Sequence, residues 1–231
     1  MNFAGKHVVV TGGTGALGAA VVDGLLKAGA SCTIPYRRES EAEHFAHRDD
    51  AKVTLIAAGD LADETAVAKL YAGLAPWASI HIAGGFAPGK LADTDKAALM
   101  AQLDGNLVSC FLCCRAAVKA MLTSGGGRIV NVAARPALEP RLGAGMTAYT
   151  IAKSGVATLT MTLAEEVAKD GILVNAVAPS IMDTPANRQA MPKADFAKWP
   201  KVGEVAATIL FLASPDNKVT RGAIVPVYGK S

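Results

Sequence analysis

Long apolar runs, one-signed charge, aromatic residues and cysteine are all scarce in this 231-residue chain, and each shortage excludes something. No apolar run approaches the roughly 20 residues that a membrane span needs, so no membrane partner is expected. Met1-Asn2-Phe3-Ala4-Gly5-Lys6 lacks the apolar block of a secretion signal, and the expected location is the cytoplasm. Lys and Arg number 23 against 20 Asp and Glu, and aromatics make up only 5%, with no basic stripe interleaved by them; no nucleic-acid footprint is expected. The four cysteines are Cys32, Cys110, Cys113 and Cys114. The last three would share one helix face, where small apolar cysteines are buried packing residues. No His or acid stands at ligand spacing beside them, so no metal is expected. Disulfides are not expected in a reducing compartment.

What is abundant is apolar residue (51%) and glycine (23 residues), enough to fill one domain spanning residues 1–231. Short β-branched runs alternate with Ala- and Leu-rich segments. Strands are expected at His7–Val10, Ser31–Pro35, Val53–Ala57, Ser79–Ala83, Arg128–Val132, Leu173–Ala178 and Ala223–Val227. Helices are expected near 16–28, 63–74, 93–122, 147–169 and 203–213. Strands apolar without alternation are buried on both faces, and strand–helix alternation implies βαβ crossovers. The expected class is α/β, a single doubly wound domain with a seven-stranded parallel sheet. Pro179–Lys201 is the least regular stretch, and a loop beyond a strand's C-terminal end is where such sheets hold ligands.

Val8-Val9-Val10 leads into Thr11-Gly12-Gly13-Thr14-Gly15-Ala16-Leu17-Gly18 and then an amphipathic helix. A glycine-rich turn there lets backbone N–H groups approach a pyrophosphate, and the helix's positive end adds to the attraction. At the end of the second strand an acid would bind the 2′-hydroxyl of NAD, whereas positive charge would accept the 2′-phosphate of NADP. The residues are Tyr36-Arg37-Arg38, with no acid until Glu39, so NADP is expected. Arg38 or Lys6 would add weaker attraction. Asp60-Leu61 would meet the adenine, though Asp60 or Asp63 serves equally as a helix N-cap.

Tyr149 and Lys153 are four residues apart, on one face of a helix. An ammonium beside a phenol favours the phenolate, so the Tyr149 pKa is expected below its usual value of about 10. Such a phenol would be a proton donor near neutrality.

Together these residues resemble the short-chain dehydrogenase/reductase family over essentially the whole chain. The matching elements are Thr11–Gly18, Asp60-Leu61, Ala83-Gly84, Asn106-Leu107, Tyr149/Lys153, Val174–Pro179 and Val219–Gly229. The resemblance implies a Rossmann-type domain, an NAD(P) cofactor and a small-molecule substrate. Catalysis would fall to Asn106, Tyr149 and Lys153. Asn106 would steady the active-site helix and a water relay, and Lys153 would also bind the nicotinamide ribose. Cofactor contacts would come from Gly12, Thr14, Gly15, Ala16, Leu17, Gly18, Tyr36, Arg37, Arg38, Asp60, Leu61, Ala83, Gly84, Gly85, Tyr149, Lys153, Pro179 and Thr184. A homodimer or homotetramer would form through the helices near 106–121 and 147–168. The family's catalytic Ser is missing: Asn131-Val132-Ala133-Ala134-Arg135 stands in its place, and Thr147 or a water is its candidate replacement.

A narrower resemblance, to quinonoid dihydropteridine reductases, covers Gly12–Gly18, Ala83-Gly84-Gly85-Phe86 and a substrate-side loop running from Asp183 to Trp199. It implies substrate contacts from Phe86, Ala134, Met191 and Trp199. That subgroup carries an acid where Tyr36 stands and favours NADH. The chemistry expected is NADPH-dependent hydride transfer to a C=N or C=O group of a quinonoid heterocycle. The alternatives are a general carbonyl or 3-oxoacyl-type reductase and a non-catalytic NADP-binding regulator, the latter opposed by the presence of both Tyr149 and Lys153.

Overall fold

The computed structural model describes residues 1–231. Seven strands form one all-parallel sheet in the order β3-β2-β1-β4-β5-β6-β7. They are β1 (His7–Thr11), β2 (Ser31–Tyr36), β3 (Val53–Ala57), β4 (Ala78–His81), β5 (Gly127–Val132), β6 (Ile172–Pro179) and β7 (Ile224–Val227). Sequence order reverses between β1 and β4, and that crevice is where a doubly wound sheet opens to a ligand.

The expected helices appear as α1 (Ala16–Lys27), α3 (Glu64–Tyr71), α4 (Lys96–Gln102), α5 (Ser109–Ser124), α7 (Thr147–Glu166) and α9 (Val202–Ala213). Three short helices escaped the sequence pattern: α2 (Glu39–Glu43), α6 (Arg135–Leu138) and α8 (Pro185–Ala190). Each lies at a site-side loop and is too short to show a periodic apolar stripe. The expected single helix at 93–122 begins at Lys96 and carries a π-helical turn, Leu103–Val108, between α4 and α5. Contrary to the sequence expectation, Lys96–Ser124 is apolar and long enough to cross a membrane by length and composition alone. Its apolar character has a local use. Cys110, Cys113, Cys114, Ala117 and Met121 bury one face against the sheet and α7.

Two apolar layers sandwich the sheet. One joins Val8, Val10, Ile34, Ile80 and Val130 to α1 and α9. The other joins Val9, Ile129 and Val174 to α3, α5 and α7. Alternate residues of each strand therefore face opposite layers, which is why the strands read as continuous apolar runs. Ile129 is fully buried at the centre of β5, paired on both sides. Ile129→Ala is expected to lower unfolding free energy by about 2–5 kcal/mol, measured as a shift of the urea midpoint. A loss under about 0.5 kcal/mol would show that this layer can collapse around the cavity.

Candidate active site

A cavity of about 900 Å³ opens at the β1/β4 crevice. Its floor is the β1–α1 turn. Gly12 has φ +68°, and a Cβ there would lie 2.7 Å from the Ala83 nitrogen; a Cβ on Gly18 would lie 2.0 Å from the Gly12 carbonyl. No side chain could be added at either position without moving backbone. Gly15, the N-cap of α1, makes no side-chain cap bond, so the amides of the first turn of this 12-residue helix face the cavity. That arrangement fits a pyrophosphate. Of the residues expected at the cofactor, Gly12, Thr14 through Gly18, Tyr36 through Arg38, Asp60, Leu61 and Ala83 through Gly85 line it.

The ribose end carries more acid than the sequence suggested. Glu41 lines the cavity, accepting from the Arg37 backbone at 3.1 Å and from Arg38 Nε at 2.9 Å. Asp60 lies 3.7 Å from Arg37 Nη2 and accepts from the Ala62 amide at 2.9 Å. Asp63, not Asp60, caps α3, accepting from the amides of Thr65 and Ala66. Lys6 sits at the other end of the sheet, 4.1 Å over the Trp77 ring, and has no part in the cavity. Lys6 precedes β1, whereas the cavity follows it.

Asn106 sits in the π-helical turn, where the extra residue rotates its side chain inward. Its Nδ2 donates to the carbonyls of Gly85 (2.9 Å) and Gln102 (3.1 Å), and its Oδ1 accepts from the Gly85 amide at 3.3 Å. A Cβ on Gly84 would meet Asn106 Oδ1 at 2.5 Å and Lys153 Nζ at 3.5 Å. Gly84 is thus the point where Asn106, Lys153 and the cavity converge. Gly105, Ala101 and Ser109 also line the cavity and were not foreseen. A glycine in mid-helix, Asp104-Gly105, was the available signal.

Lys153 is buried, and Nζ donates to the Val132 carbonyl at 2.8 Å. The Nζ lies 5.9 Å from the centroid of the half-buried Tyr149 ring. The expectation that Lys153 lowers the Tyr149 pKa fails here. Burial pushes the phenol up to about 12 and the ammonium down to about 8. The ammonium is committed to a carbonyl instead of the phenol.

Phe86 is exposed and stands edge-on to Tyr149, with centroids 5.1 Å apart and rings at 90°. Ala134 is buried at the N-cap of α6, presenting a methyl where the family has a hydroxyl. Thr147 begins α7 and is half-buried. The remaining expected contacts are placed less openly. Pro179 is buried at the end of β6, and Thr184 caps α8 by accepting from the Asn187 amide at 3.2 Å. Met191 is the half-buried C-cap of α8, and Trp199 is only 8% exposed, its ring tilted 48° to Phe196 with centroids 5.0 Å apart, within its own loop.

Beneath Lys153 the cysteine face is not purely apolar. His81, at the end of β4, places its ring against Cys110 and Cys114, with all three ligand-type atoms within 4.8 Å of one another. The sequence showed no such neighbour because β4 and α5 meet only in the folded sheet.

Residues 6–195 match the family described as short chain dehydrogenase. The chain belongs to the short-chain dehydrogenase family. It is 33% identical over 243 residues to galactitol 2-dehydrogenase of Rhizobium johnstonii, covering 96% of this chain and 93% of that one. It is 35% identical over 243 residues to cis-4-hydroxycyclohexanecarboxylate dehydrogenase of Sinomonas cyclohexanicum, covering 98% and 96%. A solved structure described as a short chain dehydrogenase/reductase family protein superposes with a TM-score of 0.91 at 28% identity, over 99% and 98% of the two chains. This short-chain dehydrogenase is an NAD(P)-dependent oxidoreductase.

The lysine's depressed pKa has a consequence for rate. Its charged form predominates below pH 8 and is lost as pH rises through about 8. Reductive kcat/KM is therefore expected to fall above that pH with unit slope as the Lys153 charge disappears. A profile flat to pH 10 would show that the charge on Lys153 is not used.

Proposed function

We propose that this short-chain dehydrogenase reduces a C=O or C=N group at the expense of NADPH, with Tyr149 as proton donor. The observation that carries the reading is the convergence of Lys153 and Asn106 on cavity-lining Gly84, with the Tyr149 ring 5.9 Å from Lys153 Nζ and its phenol held neutral by burial. The nicotinamide supplies the hydride. The Thr14–Gly18 turn and the first turn of α1 would hold the pyrophosphate, and Lys153 the ribose. Asn106 fixes Gly85, and with it the position of Phe86 against Tyr149. Tyr149 then gives its proton to the substrate heteroatom as negative charge develops there.

Ala134 offers no second hydroxyl to polarise a carbonyl, which favours substrates whose acceptor bond is already electron-poor, such as a quinonoid dihydropteridine-like heterocycle. Phe86, exposed beside Tyr149, gives a planar substrate an aromatic edge to meet. A second reading rests on the relatives' names: both are dehydrogenases named for hydroxyl-bearing compounds, which favours a secondary alcohol and its ketone. The assay that separates them follows NADPH oxidation with quinonoid dihydropterin, simple ketones and quinones, and NADP⁺ reduction with galactitol and cis-4-hydroxycyclohexanecarboxylate. Turnover of none of these would favour a nucleotide-binding regulator. The exposed Met100, Phe111, Ile151 and Met161 on α4, α5 and α7 support a homodimer or homotetramer.

Tyr149→Phe is expected to cost at least about 100-fold in kcat while leaving the NADPH dissociation constant within a few-fold. Rates near wild type would remove Tyr149 from the chemistry.

Preference for NADPH rests on Tyr36 at the end of β2, with Arg37 and Arg38 on the cavity rim. Arg37 is held only by an exposed 3.7 Å contact to Asp60, which a doubly charged phosphate can displace. A charge-assisted contact of about 1.5–3 kcal/mol corresponds to roughly ten- to a hundred-fold in affinity. Wild type should favour NADPH in kcat/KM, and Arg37→Ala should lose most of that preference. Glu41 and Asp60 oppose the phosphate, and a wild-type preference for NADH would show that they prevail.

A further inference from the structure

The buried histidine–cysteine cluster under the active site has no part in hydride or proton transfer, yet its polar atoms are arranged with direction. Asn131 Nδ2 donates to Thr160 Oγ1 at 2.9 Å, and Thr160 donates on to the Val156 carbonyl at 2.7 Å. Asn131 Oδ1 is therefore an acceptor, and His81 Nδ1, 2.8 Å away, carries the ring proton. His81 Nε2 then accepts from Ser79 Oγ at 2.8 Å, and Ser79 accepts from the Tyr71 hydroxyl at 2.7 Å. Cys114 Sγ lies 3.4 Å from both His81 Nδ1 and Asn131 Oδ1. His81, Cys110 and Cys114 are 3%, 5% and 1% exposed.

We propose that His81 Nδ1, Cys110 Sγ and Cys114 Sγ form a site for a soft, low-coordinate metal ion, with Cu(I) the ion that fits it. Spacing is the first argument. A trigonal ion with thiolate bonds of about 2.3 Å and an imidazole bond of about 2.0 Å needs its sulfurs ~4.0 Å apart and each ~3.7 Å from the nitrogen. Three donors already lie within 4.8 Å of one another, one pair of them at 3.4 Å, close to those separations. Cys110 and Cys114 are one helical turn apart on α5, so both thiols point the same way.

The donor set chooses the ion. Two sulfurs and one imidazole, with no carboxylate among the donors, suit a soft monovalent ion better than a hard one. Zn(II) would want a fourth strong ligand, and Asn131 Oδ1 is a weak candidate.

The surrounding shell suits a ligating histidine. When Nδ1 binds metal, the ring proton resides on Nε2 and donates to Ser79 Oγ, whose own hydrogen turns to the Tyr71 oxygen. A hydroxyl pair thereby changes direction, while Asn131 Oδ1 gives up the His81 and Cys114 hydrogens and faces the ion instead. The thiol protons leave on binding, so affinity should rise with pH. Two thiolates and one Cu(I) leave one negative charge in the core, and the buried Lys153 ammonium is the cation positioned to balance it.

Binding is tested on the full-length reduced protein without oxygen, titrating Cu(I) against a chromophoric Cu(I) chelator. One equivalent is expected, with thiolate-to-metal absorption in the near ultraviolet and a copper-edge spectrum showing two sulfurs and one nitrogen. Cys110→Ala and Cys114→Ala should each lose the tight equivalent, and Cys114→Val provides a second variant should an alanine variant melt early. Cys32→Ala and Cys113→Ala should retain it. Absence of binding, retention by the folded Cys110→Ala/Cys114→Ala double variant, or loss on Cys113→Ala alone would each overturn the assignment. Tighter binding of Zn(II) than of Cu(I) would overturn the choice of ion.

Discussion

A buried ammonium constrains everything around it. Lys153 is enclosed by the sheet and α7, and a charge taken out of water must find polar partners or lose its proton. The Val132 carbonyl supplies a partner because β5 ends there and turns away toward Ala133 and Ala134, leaving that oxygen free of the sheet ladder. Gly84 supplies the space, since any side chain at that position would collide with Asn106 and approach Nζ. The π-helical turn brings Asn106 to the same point. Four separate elements are thus held in register by the needs of one nitrogen. Two of them, the β4 loop and the π-helical turn, also line the cavity through Gly84, Gly85 and Gly105.

Much of this was legible locally. All seven strands, the glycine turn and the Tyr149/Lys153 pair can be read from runs and spacings of a few residues, because the parallel sheet imposes apolar continuity and the helix imposes a four-residue repeat. What was missed is non-local. Asp60 approaches Arg37 only after β3 pairs with β2. His81 meets Cys110 and Cys114 across the sheet face, 29 or more positions apart along the chain. The direction of the Tyr149 shift was also misjudged, since spacing says that an ammonium is near but not which acceptor it chooses.

The two ends of the sheet follow different rules. At the C-terminal end glycines and short loops keep backbone amides open to a ligand. At the N-terminal end Trp77 is flanked by Lys6 and Arg128, at 4.1 and 5.0 Å, and its Nε1 donates to the Ala213 carbonyl at 3.0 Å. Arg128 Nε donates to the Asn217 carbonyl at 3.0 Å, and Asn217 Nδ2 donates to the carbonyls of Leu212 and Thr220. These bonds tie β4, β5 and the segment after α9 together at that end.

The shifts of Tyr149 and Lys153 share a single cause. Burial disfavours a charged phenolate and a charged ammonium alike, so it raises one pKa to about 12 and lowers the other to about 8. Phe86 stands edge-on against the phenol ring, and Ala133 and Ala134 are buried just beyond β5. A phenol so placed holds its proton at neutral pH, the state that the proposed proton donation requires.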